Sequence, residues 1–376
     1  MINVRTVTFH RAHNHGSVLQ AYALQTFVTE ICRECGINCS YKIIDYYPEV
    51  QKKLYAVFQP GFSVKSIVKN LLALRHYRAL CRRHESFNQF VDYYLNLTQR
   101  YDTEACIKQN PPEADCYISG SDQIWNVRSK DFSPVYYLDF ASDNARKISF
   151  AASFGPLRID WDKYGRTMYE AFLNRYNYIS TRETGSAENV ALLTGKSPEQ
   201  HLDPTFLLTA DEWRKIQSNA NHNNGKYILL YCLEPSRKQI SMARSISERL
   251  GLPVVVLRYN NKNDWFNPFI KKYDAGPCDF LSYIDNAELV LSSSFHGTAF
   301  SIIYNKPFYV FDGMQDNRIS SILDKAGLTD RSLSSDADLD RINLAAPDKV
   351  AIEQFIAESR KVSAVYLAKA LGLASI

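Results

Sequence analysis

His296 stands in the stretch Ser292-Ser293-Ser294-Phe295-His296-Gly297-Thr298, directly after an apolar run at 287–291. Imidazole changes charge nearest to neutral pH, which makes it the usual carrier of protons in a reaction. Placed after a buried strand and beside a turn glycine, His296 either faces a cleft or caps the next helix through its ring. The residues alone weigh these readings equally. Arg182 follows a second apolar run at 176–181. Its planar, permanently charged fork suits a phosphate or carboxylate, or an ion pair with neighbouring Glu183. Near the N-terminus, Asn14-His15-Gly16-Ser17 separates a short apolar run at 4–9 from an apolar helical face at Val18, Leu19, Ala21, Tyr22, Leu24 and Phe27. A strand, a glycine turn and a helix in that order present several backbone N–H groups to an anion or a hydroxyl, or form a plain N-capped turn. Cys32, Cys35 and Cys39 are spaced C-x2-C-x3-C. No second Cys or His pair stands nearby at zinc-finger spacing, and residues 18–35 carry helical periodicity. We expect helix-face residues and no metal there.

The elements that must hold these groups alternate. Strands are expected at 4–9, 41–46, 114–119, 147–153 and 176–181. A further series is expected at 226–233, 253–257, 287–291 and 308–311, with helical patterns between most of them. Polar or small residues follow the runs at 114–119, 147–153 and 176–181. In a parallel α/β sheet ligands bind at those carboxyl ends. The alternation predicts two Rossmann-like, doubly wound α/β domains facing a cleft, arranged like the B-type glycosyltransferases (GT-B-like), with a C-terminal helix. We place the first domain at 1–209 and the second at 210–345. The C-terminal helix at 346–376 is expected to pack on the body.

Composition narrows the class. Of 376 residues 45% are hydrophobic and 22% charged, a globular mixture that excludes a mainly disordered chain. Net charge is +4, too mild to argue for nucleic acid. No apolar run approaches the roughly 18 residues of a membrane span. Residues 1–10 lack the charged and apolar regions of a signal peptide, so we expect a cytoplasmic protein with its eight cysteines as free thiols. The stretch 64–84 carries six Lys or Arg and no acid, with Val64, Ile67, Val68, Leu71 and Leu72 on one helical face. It reads as a solvated charged face or as a peripheral contact with the anionic inner face of a membrane.

Four stretches together resemble the polysaccharide pyruvyl transferase family: Asn14 to Ser17 with the Leu-Gln-Ala-Tyr-Ala-Leu run after it, Gly120 to Asn126, Tyr178 to Glu183, and Ser292 to Pro307. Leu202-Asp203-Pro204-Thr205 adds to the likeness. The resemblance covers roughly 1–325. It implies transfer of the enolpyruvyl group of phosphoenolpyruvate to sugar hydroxyls, giving a pyruvate ketal on a capsule or exopolysaccharide glycan or its precursor. No metal or organic cofactor is implied, and phosphoenolpyruvate is a co-substrate. The acceptor would be a sugar, a nucleotide sugar or a lipid-linked glycan.

In that light His296 is the expected general acid or base. Arg182, Ser294, Gly297 and Thr298 are the expected donor side. Many members of the family carry arginine where Ser294 stands, so Arg318 is the expected replacement cation, ahead of Lys306 and Arg258. Asn14, His15, Gly16, Ser17, Ser121, Trp125 and Asn126 are the expected acceptor side. Asp122 would take a hydroxyl proton or cap the following helix. Two other readings fit the architecture: a GT-B-like glycosyltransferase with a nucleotide-sugar donor, and a non-catalytic glycan-binding member of the family.

Overall fold

A computed structural model of the protein describes residues 1–58, 64–219, 225–257 and 269–373. The chain forms two compact units. The first gathers residues 1–55, 91–208 and 357–376, and the second 56–90 and 209–356.

In the first unit the strands are β1 (Ile2–Val7), β2 (Cys39–Tyr46), β3 (Leu97–Tyr101), β4 (Cys116–Ser119) and β5 (Arg146–Ser149), followed by the short β6 (Ser180–Thr181) and β7 (Glu199–Gln200). All neighbours pair in parallel, in the order β3-β2-β1-β4-β5. Bridges Ile148–Tyr178 and Ala152–Thr181 carry the ladder on towards β6 and β7. The second unit holds β8 (Ile228–Tyr231), β9 (Val254–Leu257), β10 (Ile270–Lys272), β11 (Leu289–Ser292), β12 (Phe308–Phe311) and β13 (Ser332–Leu333), again parallel, in the order β10-β9-β8-β11-β12-β13. Both sheets are therefore doubly wound. The strand order reverses between β1 and β4 in one unit, and between β8 and β11 in the other. Such reversals open a crevice at the strands' carboxyl ends.

The composition of the strands explains their place. Cys116-Tyr117-Ile118-Ser119, Ile228-Leu229-Leu230-Tyr231 and Leu289-Val290-Leu291-Ser292 are buried at every position, as interior strands of a parallel sheet must be. Helices start and stop on local signals. Asn14 caps the helix His15–Glu34 by accepting from Gly16 N. Ser236 and Gln239 form a capping box on Arg237–Leu250, and Gly251 ends that helix in the left-handed region.

Three details differ from the sequence reading. Residues 56–90 belong to the second unit, although a chain-order division leaves them in the first. Its described residues include the helix Val64–Leu74 and most of the helix Tyr77–Tyr94. The run at 176–181 is reduced to Tyr178 and the two residues of β6, because its partner strand β7 is only two residues long. The helix Lys349–Leu371 returns to the first unit from Ala357 onward. There Tyr366 donates to Ser149 O at 2.8 Å and the Arg360 guanidinium lies over Phe27 at 5.6 Å.

Candidate functional site

In the first unit, three segments meet at the reversal between β1 and β4. The helix that starts at His15 follows β1, the turn Gly120 to Asn126 follows β4, and Arg182 follows β6. Ser17 Oγ donates to Asp122 Oδ2 at 2.5 Å. Asp122 lies in the left-handed region at φ 71°, and its Oδ1 accepts from Gln123 N at 2.8 Å. The turn needs Gly120: its φ is +133°, and a Cβ there would lie 2.2 Å from Phe150 O. Gln20 supports the corner from one turn further along the helix. Its Nε2 donates to Thr8 Oγ1 and to Ser17 O, each at 2.8 Å, and its Oε1 accepts from Ser121 N at 3.2 Å.

Arg182 is buried among carboxylates. Its Nη1 donates to Asp203 Oδ2 at 2.7 Å, its Nε donates to Glu183 Oε2 at 3.2 Å, and Asp122 Oδ1 lies 3.9 Å from Nη1. Burial opposes the charge, but Glu183, Asp203 and Asp122 outweigh it, and the guanidinium is held more firmly protonated than usual. The carboxylates are themselves anchored. Asp203 Oδ1 accepts from Thr205 N at 3.0 Å and from Thr205 Oγ1 at 2.9 Å, and Glu183 Oε1 accepts from Ser153 Oγ and Ser186 Oγ. With Nε and Nη1 so engaged, the plane of the guanidinium is fixed. The ion pair of Arg182 with Glu183, the alternative to a donor role, is present, and Asp203 extends it.

A second cluster lies at the ends of β1 and β2. Arg11 grips Asp45 in a bidentate pair, Nε to Oδ1 at 2.6 Å and Nη2 to Oδ2 at 2.8 Å, with His10 Nε2 at 3.1 Å from Oδ1. Burial pushes the Asp45 carboxyl up, but Arg11 and His10 outweigh it and hold it well below the usual range.

In the second unit, His296 is buried in the first turn of the helix Phe295–Ile303, directly beyond β11 at the reversal. Ser294 is the N-cap residue, but its side chain makes no capping hydrogen bond. Gly297 lets the helix approach the sheet. A Cβ there would lie 2.3 Å from Ser292 Oγ and 2.8 Å from Tyr231 Cδ1.

Six candidate residues are placed elsewhere or otherwise engaged. Trp125 is 0% exposed, stacks on Tyr137 at 5.5 Å and donates to Ser119 Oγ, so it is core and offers no face to a sugar. Ser121 is fully buried and donates to Ala151 O at 2.5 Å. The Thr298 hydroxyl is inside its helix, donating to Ser294 O at 3.0 Å. Arg318 is bound by its own cap residue, Nε and Nη2 to the Asp316 carboxylate at 3.0 and 2.5 Å, so its charge is met locally. Asn126 shapes its turn, donating to Gln123 Oε1 at 3.1 Å and accepting from Arg128 N at 3.0 Å. Lys306 donates to Asp285 O at 2.7 Å. Arg258 lies outside the described residues.

Glu183, Asp203 and Gln20 lie in the stretches that resemble the family, but apart from the ion pair of Glu183 with Arg182 none is among the site roles expected from the sequence. Asp203 carried a signal: an Asp before Pro with Thr two residues on is an Asx-turn pattern. Among the described residues no group of three His, Cys, Asp or Glu is placed to hold a metal ion.

The sequence profile of the polysaccharide pyruvyl transferase family matches residues 14–313, which contain Ser17, Asp122, Arg182, Asp203 and His296. The chain belongs to this family. Among curated protein sequences none matches significantly. Solved structures with a similar fold include UDP-N-acetylglucosamine 2-epimerase from Rickettsia bellii, at TM-score 0.54 and 10% identity over 96% of this chain and 94% of that one. The Methanocaldococcus jannaschii UDP-GlcNAc 2-epimerase, solved with UDP-GlcNAc and UDP, matches at TM-score 0.50 and 11% identity over 95% and 98%. A putative epimerase of the same name from Listeria monocytogenes matches at TM-score 0.50 and 12% identity over 95% of each chain. At such identities the likeness is one of fold, and it places this member of the pyruvyl transferase family among GT-B-like proteins. None of its described helices is long and apolar enough to cross a membrane.

Proposed function

We propose that this protein transfers the enolpyruvyl group of phosphoenolpyruvate to two hydroxyls of a sugar, forming a pyruvate ketal on a surface glycan or its precursor. The observation that carries the reading is a family match that spans His296 in the first turn of a helix at the reversal of the second sheet.

The reaction sets clear demands. Carbon 3 of the donor takes a proton, carbon 2 becomes electrophilic, one sugar hydroxyl attacks it, and the bond to phosphate breaks. A second hydroxyl then closes the ketal, and inorganic phosphate is released. His296 moves the proton at the donor, a role worth roughly a hundredfold to ten-thousandfold. The backbone N–H groups at the start of its helix suit the phosphate oxygens. Arg182, its plane held by Asp203 and Glu183, stands beside Asp122 and steadies that carboxylate. Asp122 accepts the proton of the attacking hydroxyl, and Ser17 orients its carboxylate. Asn14, His15 and Gly16 line the acceptor side.

Incubation with phosphoenolpyruvate and candidate sugar acceptors tests this, with phosphate release and mass gain on the sugar as readouts. Phosphate release that is independent of any acceptor, or no release with any acceptor, would remove the assignment.

A nucleotide-sugar donor is the second reading. It rests on Ser294, a neutral residue at the cap position before His296 where many members of the family carry arginine. Thermal shifts separate the two, because a ligand of the native state raises the melting temperature. Stabilisation by nucleotide sugars and not by phosphoenolpyruvate would favour the second.

A further inference from the structure

The helix Val64–Leu74 and residues 77–90 of the helix Tyr77–Tyr94 belong to the second unit and have no part in the site above. Four large apolar side chains of the first helix face solvent: Ile67 at 46% exposure, Val68 at 49%, Leu71 at 61% and Leu74 at 56%. Their spacing puts 67, 71 and 74 in one row, with 68 beside it. Ala73, on the far side of the helix, is buried and marks the face turned to the protein. Three residues beyond Leu74 in the chain, exposed Tyr77 stacks on exposed Phe58 at 5.4 Å. Scattered exposed apolar residues need no explanation, but an aligned row of this kind is costly in water and marks a contact surface.

Charge identifies the partner. From 64 to 84 the chain has six bases and no acid. Arg75 and Arg78 are exposed beside the end of the apolar row. Arg82 is also exposed and lies 2.9 Å from Asp274. Two copies of this face brought together would oppose arginines to arginines. A bilayer rich in acidic phospholipid satisfies both halves of the pattern, since its headgroups attract the arginines while the row sinks to the acyl boundary.

We propose that this face docks the protein on an anionic membrane surface. The helix Val64–Leu74 lies in the interface with Ile67, Val68, Leu71 and Leu74 inward and Arg75 and Arg78 at the headgroups. This is independent of which group the enzyme transfers, so it fails or stands apart from the reading above.

Flotation of the full chain with vesicles tests it. One set is phosphatidylcholine alone, and the other is phosphatidylcholine mixed with phosphatidylglycerol. The protein floats with the mixed vesicles at low salt and is released at high salt. Arg75→Gln with Arg78→Gln weakens partition about thirtyfold, from roughly 1 kcal/mol per charge. Leu71→Glu with Leu74→Glu abolishes flotation while leaving the melting temperature unchanged, because these side chains are exposed. No flotation with the mixed vesicles overturns the proposal, as does equal flotation with the neutral set. So does a dimer in light scattering that Leu71→Glu with Leu74→Glu dissociates, which would make this face a contact between copies.

Discussion

The Ser17 hydroxyl donates to Asp122 at 2.5 Å and so ties the helix after β1 to the turn after β4, across the point where the first sheet reverses its order. The two residues are 105 apart in sequence. Asp122 is buried, yet one of its oxygens is served by a hydroxyl and the other by a backbone N–H. It is therefore a carboxylate held in one orientation, as a group that receives a proton should be. Asp122→Asn should lower kcat for phosphate release roughly a hundredfold to ten-thousandfold, and Ser17→Ala by less, since it only loosens the carboxylate. Equal losses in both variants would mean that Asp122 serves structure alone.

His296→Ala should remove acceptor-dependent phosphate release, again by roughly two to four orders of magnitude. Full turnover in this variant would take the imidazole out of the chemistry.

Arg182 neutralises part of a buried cluster of Glu183, Asp203 and Asp122. Removing it leaves buried carboxylates without their cation, a loss of about 3–5 kcal/mol. Arg182→Met should thus lower the melting temperature by several degrees. Arg182→Lys keeps the charge but loses the fork, and should lower the melting temperature by less than Arg182→Met does. An equal loss in the two variants would show that the fork, and not the charge, holds the carboxylates.

Gly297 has no room for a side chain: a Cβ would lie 2.3 Å from Ser292 Oγ. Gly297→Ala should cost about 1–3 kcal/mol in stability and reduce kcat, because the first turn that carries His296 must move. Unchanged unfolding and kcat together would show that the helix relaxes freely.

Asp45 gives the first unit an acid limit. Its carboxyl is held below its ordinary value of 3.8, so its contribution to stability is complete above that value. It is lost as the pH falls from there towards the depressed native value. Asp45→Asn should destabilise by about 3–5 kcal/mol at neutral pH, because Arg11 is left buried without its partner. The gap from wild type should narrow below about pH 4, a trend that urea denaturation at stepped pH would follow. A gap independent of pH would sink this account.

What the sequence determined by itself was local. Continuous apolar runs became the inner strands, the Asn14 cap fixed where the helix after β1 begins, and His296 lies in the first turn of its helix at the end of its strand. These depend on a few neighbouring residues and on the choice between apolar and polar. Only the tertiary structure decided which distant groups meet. It brought Asp203 to Arg182 across 21 residues, Ser17 to Asp122 across 105, and Trp125 into the core instead of a sugar site. It also moved residues 56–90 into the second unit. The reason is that alternation of strands and helices does not specify strand order. An arginine and the carboxylate that answers it become neighbours only when the strands that carry them are laid side by side.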